Sequence, residues 1–262
     1  MQLFNGDCLG VLATLPANSV DLVLADPPYA KTKLEWDSII PLDPLWRELK
    51  RVTKERAAIV LMAGQPFTSI LIVSNLSMFR YTWVWNKKTG ANFGTAKYQP
   101  LREHEDVCVF YKRAPTYNPQ MIMRTASSLL RDPVDTKRVK RAIKYAGQTP
   151  LTGGPTCRDY KIPPDGKRHP RSIIEASKNS EDRGYHPTQK PVDLMSYFIR
   201  TYSNENDVIL DFCMGSGSTG VAAANLRRRF IGIERDTKNG YFGVAEQRIN
   251  TALEQEPILT PF

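Results

Sequence analysis

Apolar residues along this chain arrange themselves in two alternating patterns. Short unbroken runs, "DLVLA" (21–25), "AAIVLMA" (57–63), "YTWVWNK" (81–87), "EDVCVFYK" (105–112), "DVILDF" (207–212) and "FIGIE" (230–234), have the length and content of buried strands. Between them the spacing turns helical. "LDPLWRELKRV" (42–52) sets Leu42, Leu45, Trp46, Leu49 and Val52 on one face. Further helices are expected within 66–79, over 191–203 and 218–229, and within about 239–256. Strands that alternate with helices predict an α/β fold, a mostly parallel sheet with helices on both faces.

Residues 113–185 break this rhythm. They are rich in Pro, Gly, Lys and Arg and hold only short apolar pieces such as "SSLL". So long an irregular stretch inside a domain is usually functional or disordered. The expected organisation is one domain in two halves, 1–112 and 186–262, with an insertion at 113–185 between them.

Charge sharpens that division. The 262 residues carry a formal net charge of +9, which points to a polyanionic partner. Between Lys112 and Ser172 stand 14 Lys/Arg against the four acids Asp132, Asp135, Asp159 and Asp165, so the rest of the chain is close to neutral. "KRVKRAIK" (137–144) concentrates Lys137, Arg138, Lys140 and Arg141, which suit phosphate contacts; a solvated helix face is the plainer alternative. Cys8, Cys108, Cys157 and Cys213 form no C-x-x-C pair, and His104, His169 and His186 no H-x-x-x-H. Neither a disulfide framework nor a metal site is expected. No run reaches the roughly 18 apolar residues of a membrane helix, and "MQLFNGDCLG" lacks a secretory pattern, so the expectation is a cytoplasmic protein.

Two strands end in turns with chemical content. "VILDFCMGSGSTG" (208–220) places Gly215, Gly217 and Gly220 as G-x-G-x-x-G between a strand and a helix, with Glu234 closing the next strand. That arrangement suits a nucleoside-containing cofactor, although a connecting turn or a nicotinamide site shares it. Asp211, just before the glycines, suits a cofactor with a cationic amine, as S-adenosylmethionine has. The other turn is "ADPPY". Pro27 and Pro28 donate no hydrogen bond, so the turn offers carbonyls and the Asp26 carboxylate as acceptors, with Tyr29 as a stacking face. Acceptors beside an aromatic plane fit the exocyclic amine of a flat base, whose nitrogen they would draw towards tetrahedral geometry. A rigid strand-ending turn is the alternative. A nicotinamide dehydrogenase leaves this turn unexplained.

"DPPY" together with "DFCMGSGSTG" resembles the amino-methylating, S-adenosylmethionine-dependent DNA methyltransferases. The order, catalytic turn first and glycine turn last, resembles their β class. "NGDCLGVLATLPANSVDLVLADPPY" (5–29), "REHEDVCVFYK" (102–112) and "HPTQKP" (186–191) are similar to further stretches of that class, and "KRHPRS" (167–172) to a segment near the end of its recognition region.

The resemblance implies a Rossmann-like seven-stranded methyltransferase sheet with a basic target-recognition insertion. It implies that Asp26, Pro27, Pro28 and Tyr29 hold a flipped base, and that Phe212, Gly215, Gly217, Ser218 and Thr219 surround the cofactor beside Asp211. By the same resemblance Glu234 takes ribose hydroxyls, Asp7 and Cys8 the adenine, and Thr188, Gln189 and Lys190 the carboxylate end. Asp7 as a helix cap and Lys190 as a surface lysine are the plain alternatives. Asp26 at the head of the tetrapeptide favours adenine-N6 over cytosine-N4. His104 and Glu105 are expected to order a strand, and residues 87–100 to form a loop. Double-stranded DNA is the implied partner, reached by Lys137, Arg138, Lys140, Arg141 and Arg168. A homodimer and a separately acting restriction endonuclease are compatible with the resemblance. The rival from another class is a DNA-binding regulator without catalysis.

Overall fold

The computed structural model describes residues 1–31, 37–124, 166–176, 184–236 and 238–255. The sheet-forming unit comprises Met1–Asn118 and Ser172–Phe262. It begins with β1 (Gln2–Asn5), α1 (Cys8–Thr14), β2 (Val20–Ala25), α2 (Leu42–Val52), β3 (Thr53–Ala63) and α3 (Phe67–Ser74). The long strands β4 (Phe79–Ala91) and β5 (Arg102–Phe110) follow. A second unit, Pro119–Arg171, contains β6 (Ile122–Met123) and β7 (Lys167–Arg168), paired antiparallel. The first unit resumes with β8 (Ile173–Glu175), α4 (Val192–Tyr202), β9 (Val208–Asp211), α5 (Ser218–Asn225), β10 (Arg229–Glu234) and α6 (Tyr241–Glu254).

The sheet order is β1-β10-β9-β2-β3-β5-β4-β8, with β5 antiparallel to both neighbours and the other pairs parallel. Six of these strands are the expected apolar runs; β1 brings the sheet to the seven that the resemblance implies, and the short β8 adds an eighth at the edge. The apolar runs are continuous because both faces are covered. Val23, Ala25, Ile59 and Leu61 face α1, α2 and α3 with Leu12, Trp46, Leu49 and Phe67. Leu22, Leu24, Val60 and Met62 face α4, α5 and α6 with Phe198, Ile199, Ala222 and Ile249. At the amino ends, Asp21 accepts from the Val208 N–H (3.0 Å) and from Lys54 Nζ (2.7 Å), tying β2 to both its neighbours.

The register decides where a site can form. β2 lies beside β9, with Leu22 opposite Ile209 and Val23 opposite Leu210. From β2 the chain passes through α2 to β3 on one side; from β9 it passes through α5 to β10 on the other. This is a topological switch point, and the carboxyl ends of its two strands flank a crevice. Those ends are Ala25 and Asp211, where the two loaded turns begin.

Candidate active site

The crevice is a cavity of about 370 Å³ lined by both turns. On the β2 side stand Asp26, Pro27, Pro28 and Tyr29. Tyr29 stacks on Phe67 with ring centroids 5.3 Å apart, and its hydroxyl donates to Asp26 Oδ1. The turn is held from behind by Asp37, whose carboxylate accepts the backbone N–H groups of Tyr29 (2.9 Å), Ala30 (2.8 Å) and Lys31 (2.8 Å). That anchor gives no sequence signal, because an isolated aspartate reads as solvated.

On the β9 side Asp211 is buried and accepts the Cys213 N–H at 3.1 Å. Burial pushes its carboxyl up to about 7, against the Thr219 hydroxyl and the Cys213 N–H, which favour the charge. Phe212, Gly215, Ser218 and Thr219 line the cavity, whereas Gly217 does not. Gly217 caps α5 with φ +81°, and a Cβ there would lie 2.9 Å from that of Ala245, so its work is to let α6 close on the turn. Glu234 lines the cavity and accepts the Gly215 N–H at 2.7 Å, fixing the glycine turn to β10; burial raises its carboxyl.

Asp7 and Cys8 border the same cavity. Asp7 is also the cap of α1, accepting from Leu9 N (3.0 Å) and Gly10 N (3.2 Å). Burial pushes the Cys8 thiol up to about 11, so it stays protonated. Thr188, exposed, bonds His186 Nδ1 through its backbone N–H at 3.2 Å. Gln189 is buried and accepts from Ser216 Oγ at 3.2 Å. Its Nε2, like Ser218 Oγ, is buried with no hydrogen-bond partner among the described residues.

Lys190 is not a surface lysine, and Glu105 does more than order its strand. Lys190 is 8% exposed, and its Nζ donates to Asp26 Oδ2 at the β2 turn. Glu105, expected merely to order β5, lines the cavity and pairs with Lys87 (2.8 Å) and Lys190 (3.5 Å). Along β5 Glu105 is partly buried, whereas its neighbour His104 is exposed. Asp236, unremarked in the sequence, also borders the cavity and accepts N–H groups at the start of α6, including that of Phe242 at 3.0 Å.

Arg168 lies on β7 in the second unit. Lys137, Arg138, Lys140 and Arg141 lie outside the described residues. Among the described residues no group of His, Cys, Asp or Glu could hold a metal ion, and no helix is long and apolar enough to cross a membrane.

The turn headed by Asp26 and the glycine turn thus open into one cavity at the switch point. A DNA methylase family profile (N6_N4_Mtase) matches residues 20–243, and the chain belongs to that family; its motif order is that of the β class. It is 29% identical over 277 residues to the Type II methyltransferase M.HinfI of Haemophilus influenzae, covering 94% of this chain and 67% of that one. It is 28% identical over 266 residues to the DNA adenine methyltransferase YhdJ of Escherichia coli (strain K12), covering 95% and 83%. Among solved structures it is similar to PvuII DNA methyltransferase (cytosine-N4-specific), with a TM-score of 0.65, 16% identity and coverage of 99% and 88%. It is also similar to the M1.HpyAVI–SAM complex, with a TM-score of 0.61, 22% identity and coverage of 95% and 98%.

Proposed function

We propose that this chain transfers a methyl group from S-adenosylmethionine to the exocyclic N6 amine of an adenine flipped out of double-stranded DNA. The observation that carries this reading is the single cavity into which both turns open. Two buried polar atoms without partners among the described residues, Gln189 Nε2 and Ser218 Oγ, together with the Asp211 carboxylate, suit a polar, cationic cofactor. Phe212, Gly215 and Thr219 would surround it, Glu234 would meet its ribose hydroxyls, and Asp7 and Cys8 would border its adenine. Thr188 and Gln189 would hold its carboxylate end. When bound, S-adenosylmethionine supplies an electrophilic methyl group on a sulfonium.

On the substrate side, Asp26 and the Pro27 carbonyl accept the two amine hydrogens. The nitrogen lone pair, otherwise delocalised into the ring, is thereby turned towards attack. Tyr29, braced on Phe67, offers its ring to the base. The amine proton released after transfer is strongly acidic and needs no dedicated base. Extrusion of the base from the duplex costs a few kcal/mol, which stacking and these hydrogen bonds offset. Adenine is favoured by the aspartate at the head of the tetrapeptide, and the relative from Escherichia coli carries adenine in its name. The basic insertion 113–185, with Lys137, Arg138, Lys140, Arg141 and Arg168, serves as the target-recognition region.

The test is transfer of labelled methyl from S-adenosylmethionine to unmethylated duplex DNA, followed by digestion to nucleosides. Label in N6-methyl-2′-deoxyadenosine is expected. Label in N4-methyl-2′-deoxycytidine would keep the reaction and overturn the base. No label with DNA binding intact would point to a regulator without catalysis.

A further inference from the structure

Four charged side chains from four separate segments meet beneath the catalytic turn, and methyl transfer as written above uses one of them. Asp26 comes from the end of β2, Lys190 from the segment before α4, Glu105 from β5 and Lys87 from β4. Lys190 Nζ donates to Asp26 Oδ2 and lies 3.5 Å from Glu105 Oε2. Glu105 Oε1 is held in turn by Lys87 Nζ at 2.8 Å. The chain of contacts alternates in sign and sums to zero charge.

We propose that Lys190 is a positioning residue for Asp26: braced by Glu105, it holds that carboxylate ionised and aimed as the acceptor for the target amine. This rests on the reaction proposed above and moves Lys190 from the cofactor's carboxylate end to the base side of the cavity.

The physical need is plain. A carboxylate taken largely out of water takes up a proton unless an opposite charge compensates it. A protonated Asp26 would present a donor to an amine whose hydrogens require acceptors. Burial raises the Asp26 carboxyl and the Glu105 charge adds to that; the Lys190 charge, its hydrogen bond and the Tyr29 hydroxyl oppose the rise and offset part of it, leaving the carboxyl above its ordinary value. Asp211 and Cys213, on the β9 turn, also feel the Asp26 charge. Lys31 lines the cavity, and Lys87 stands behind Glu105.

Glu105 explains why the lysine stays in place. Burial would raise its own carboxyl, but the charges of Lys190 and Lys87 outweigh that and hold it below its ordinary value. Lys190 is correspondingly kept protonated: burial works against its charge, and Asp26 and Glu105 more than restore it. An ionised carboxylate has about four lone-pair positions. Asp26 can therefore keep Lys190 on Oδ2 and Tyr29 on Oδ1 and still accept from a base.

The experiment is a pH titration of the full-length protein carrying ¹³C-labelled aspartate carboxyls, with the Asp26 signal identified by its loss in Asp26→Asn. In Lys190→Met the Asp26 midpoint should rise by about 1–3 pH units, and in Lys190→Arg it should stay near the parent value. Lys190→Gln repeats the measurement should the Met variant fail to fold. The acid limb of kcat should move up in parallel, with the Kd for S-adenosylmethionine unchanged. An unmoved Asp26 signal in the neutral variants would overturn the proposal. So would weakened S-adenosylmethionine binding with an unmoved signal, which would return Lys190 to the cofactor. The titration needs no turnover, so an absence of methyl transfer would count against the proposed reaction and leave the role of Lys190 to be decided by the signal.

Discussion

At the scale of single residues, the site is governed by carboxylates taken out of water. Asp211 illustrates the consequence, because its folded value of about 7 lies well above the ordinary 3.8. The native state therefore holds this proton more tightly than the unfolded chain does. The stability from this group is complete below the unfolded value and is lost as pH rises through about 7. Replacing Asp211 by Asn should flatten the pH dependence of the denaturation midpoint across that window. A cationic ligand beside Asp211 selects the ionised form. Affinity for S-adenosylmethionine, read by calorimetry, should therefore rise with pH, by at most about tenfold per unit, and Asp211→Asn should abolish the rise. Asp26 and Asp211 were legible in the sequence because each ends an apolar strand. Asp37 and Glu105 were not: nothing local distinguishes an aspartate that gathers three backbone N–H groups from one in water.

Elements were read mostly from periodicity, and where that failed the cause was length or edge position. The reading of α2 as 42–52 matches the observed Leu42–Val52, since five apolar residues on one face leave little choice. β1 and β8 gave no signal: they span four and three residues and lie at the two edges of the sheet. The antiparallel direction of β5 is likewise invisible in an apolar run, which reads the same in either sense. The third glycine of the glycine turn belongs to this scale. A methyl group at Gly220 would run into the Ile249 side chain of α6 and the Phe230 ring of β10. Gly220→Ala should lower stability by about 1–3 kcal/mol in urea denaturation. Because α5 begins at the glycine turn, cofactor affinity should fall with it.

Across the whole molecule, charge is distributed by task. The segment from Lys112 to Ser172 carries the positive excess, while the sheet-forming remainder is close to neutral. If the insertion meets DNA through phosphates, binding must weaken steeply with salt, since each neutralised phosphate releases counterions. Replacing Lys137, Arg138, Lys140 and Arg141 by Gln should reduce the slope of log K against log[salt] by about 3–4. S-adenosylmethionine affinity should not change. A slope unaltered by the four substitutions would remove these residues from the DNA interface.

What the sequence by itself determined is local: the alternation of strands and helices, the two turns, their order and the place of the basic excess. Each is read directly along the chain, without knowing which segments meet in space. Only the tertiary structure decided that β2 and β9 are neighbours, and hence that Asp26 and Asp211 open into one cavity. It also decided that Lys190 turns inward to Asp26 instead of outward to water. A lysine in a polar hexapeptide reads as exposed because water is its cheapest partner. It can be buried here because folding brings two carboxylates, from β2 and β5, to the same point.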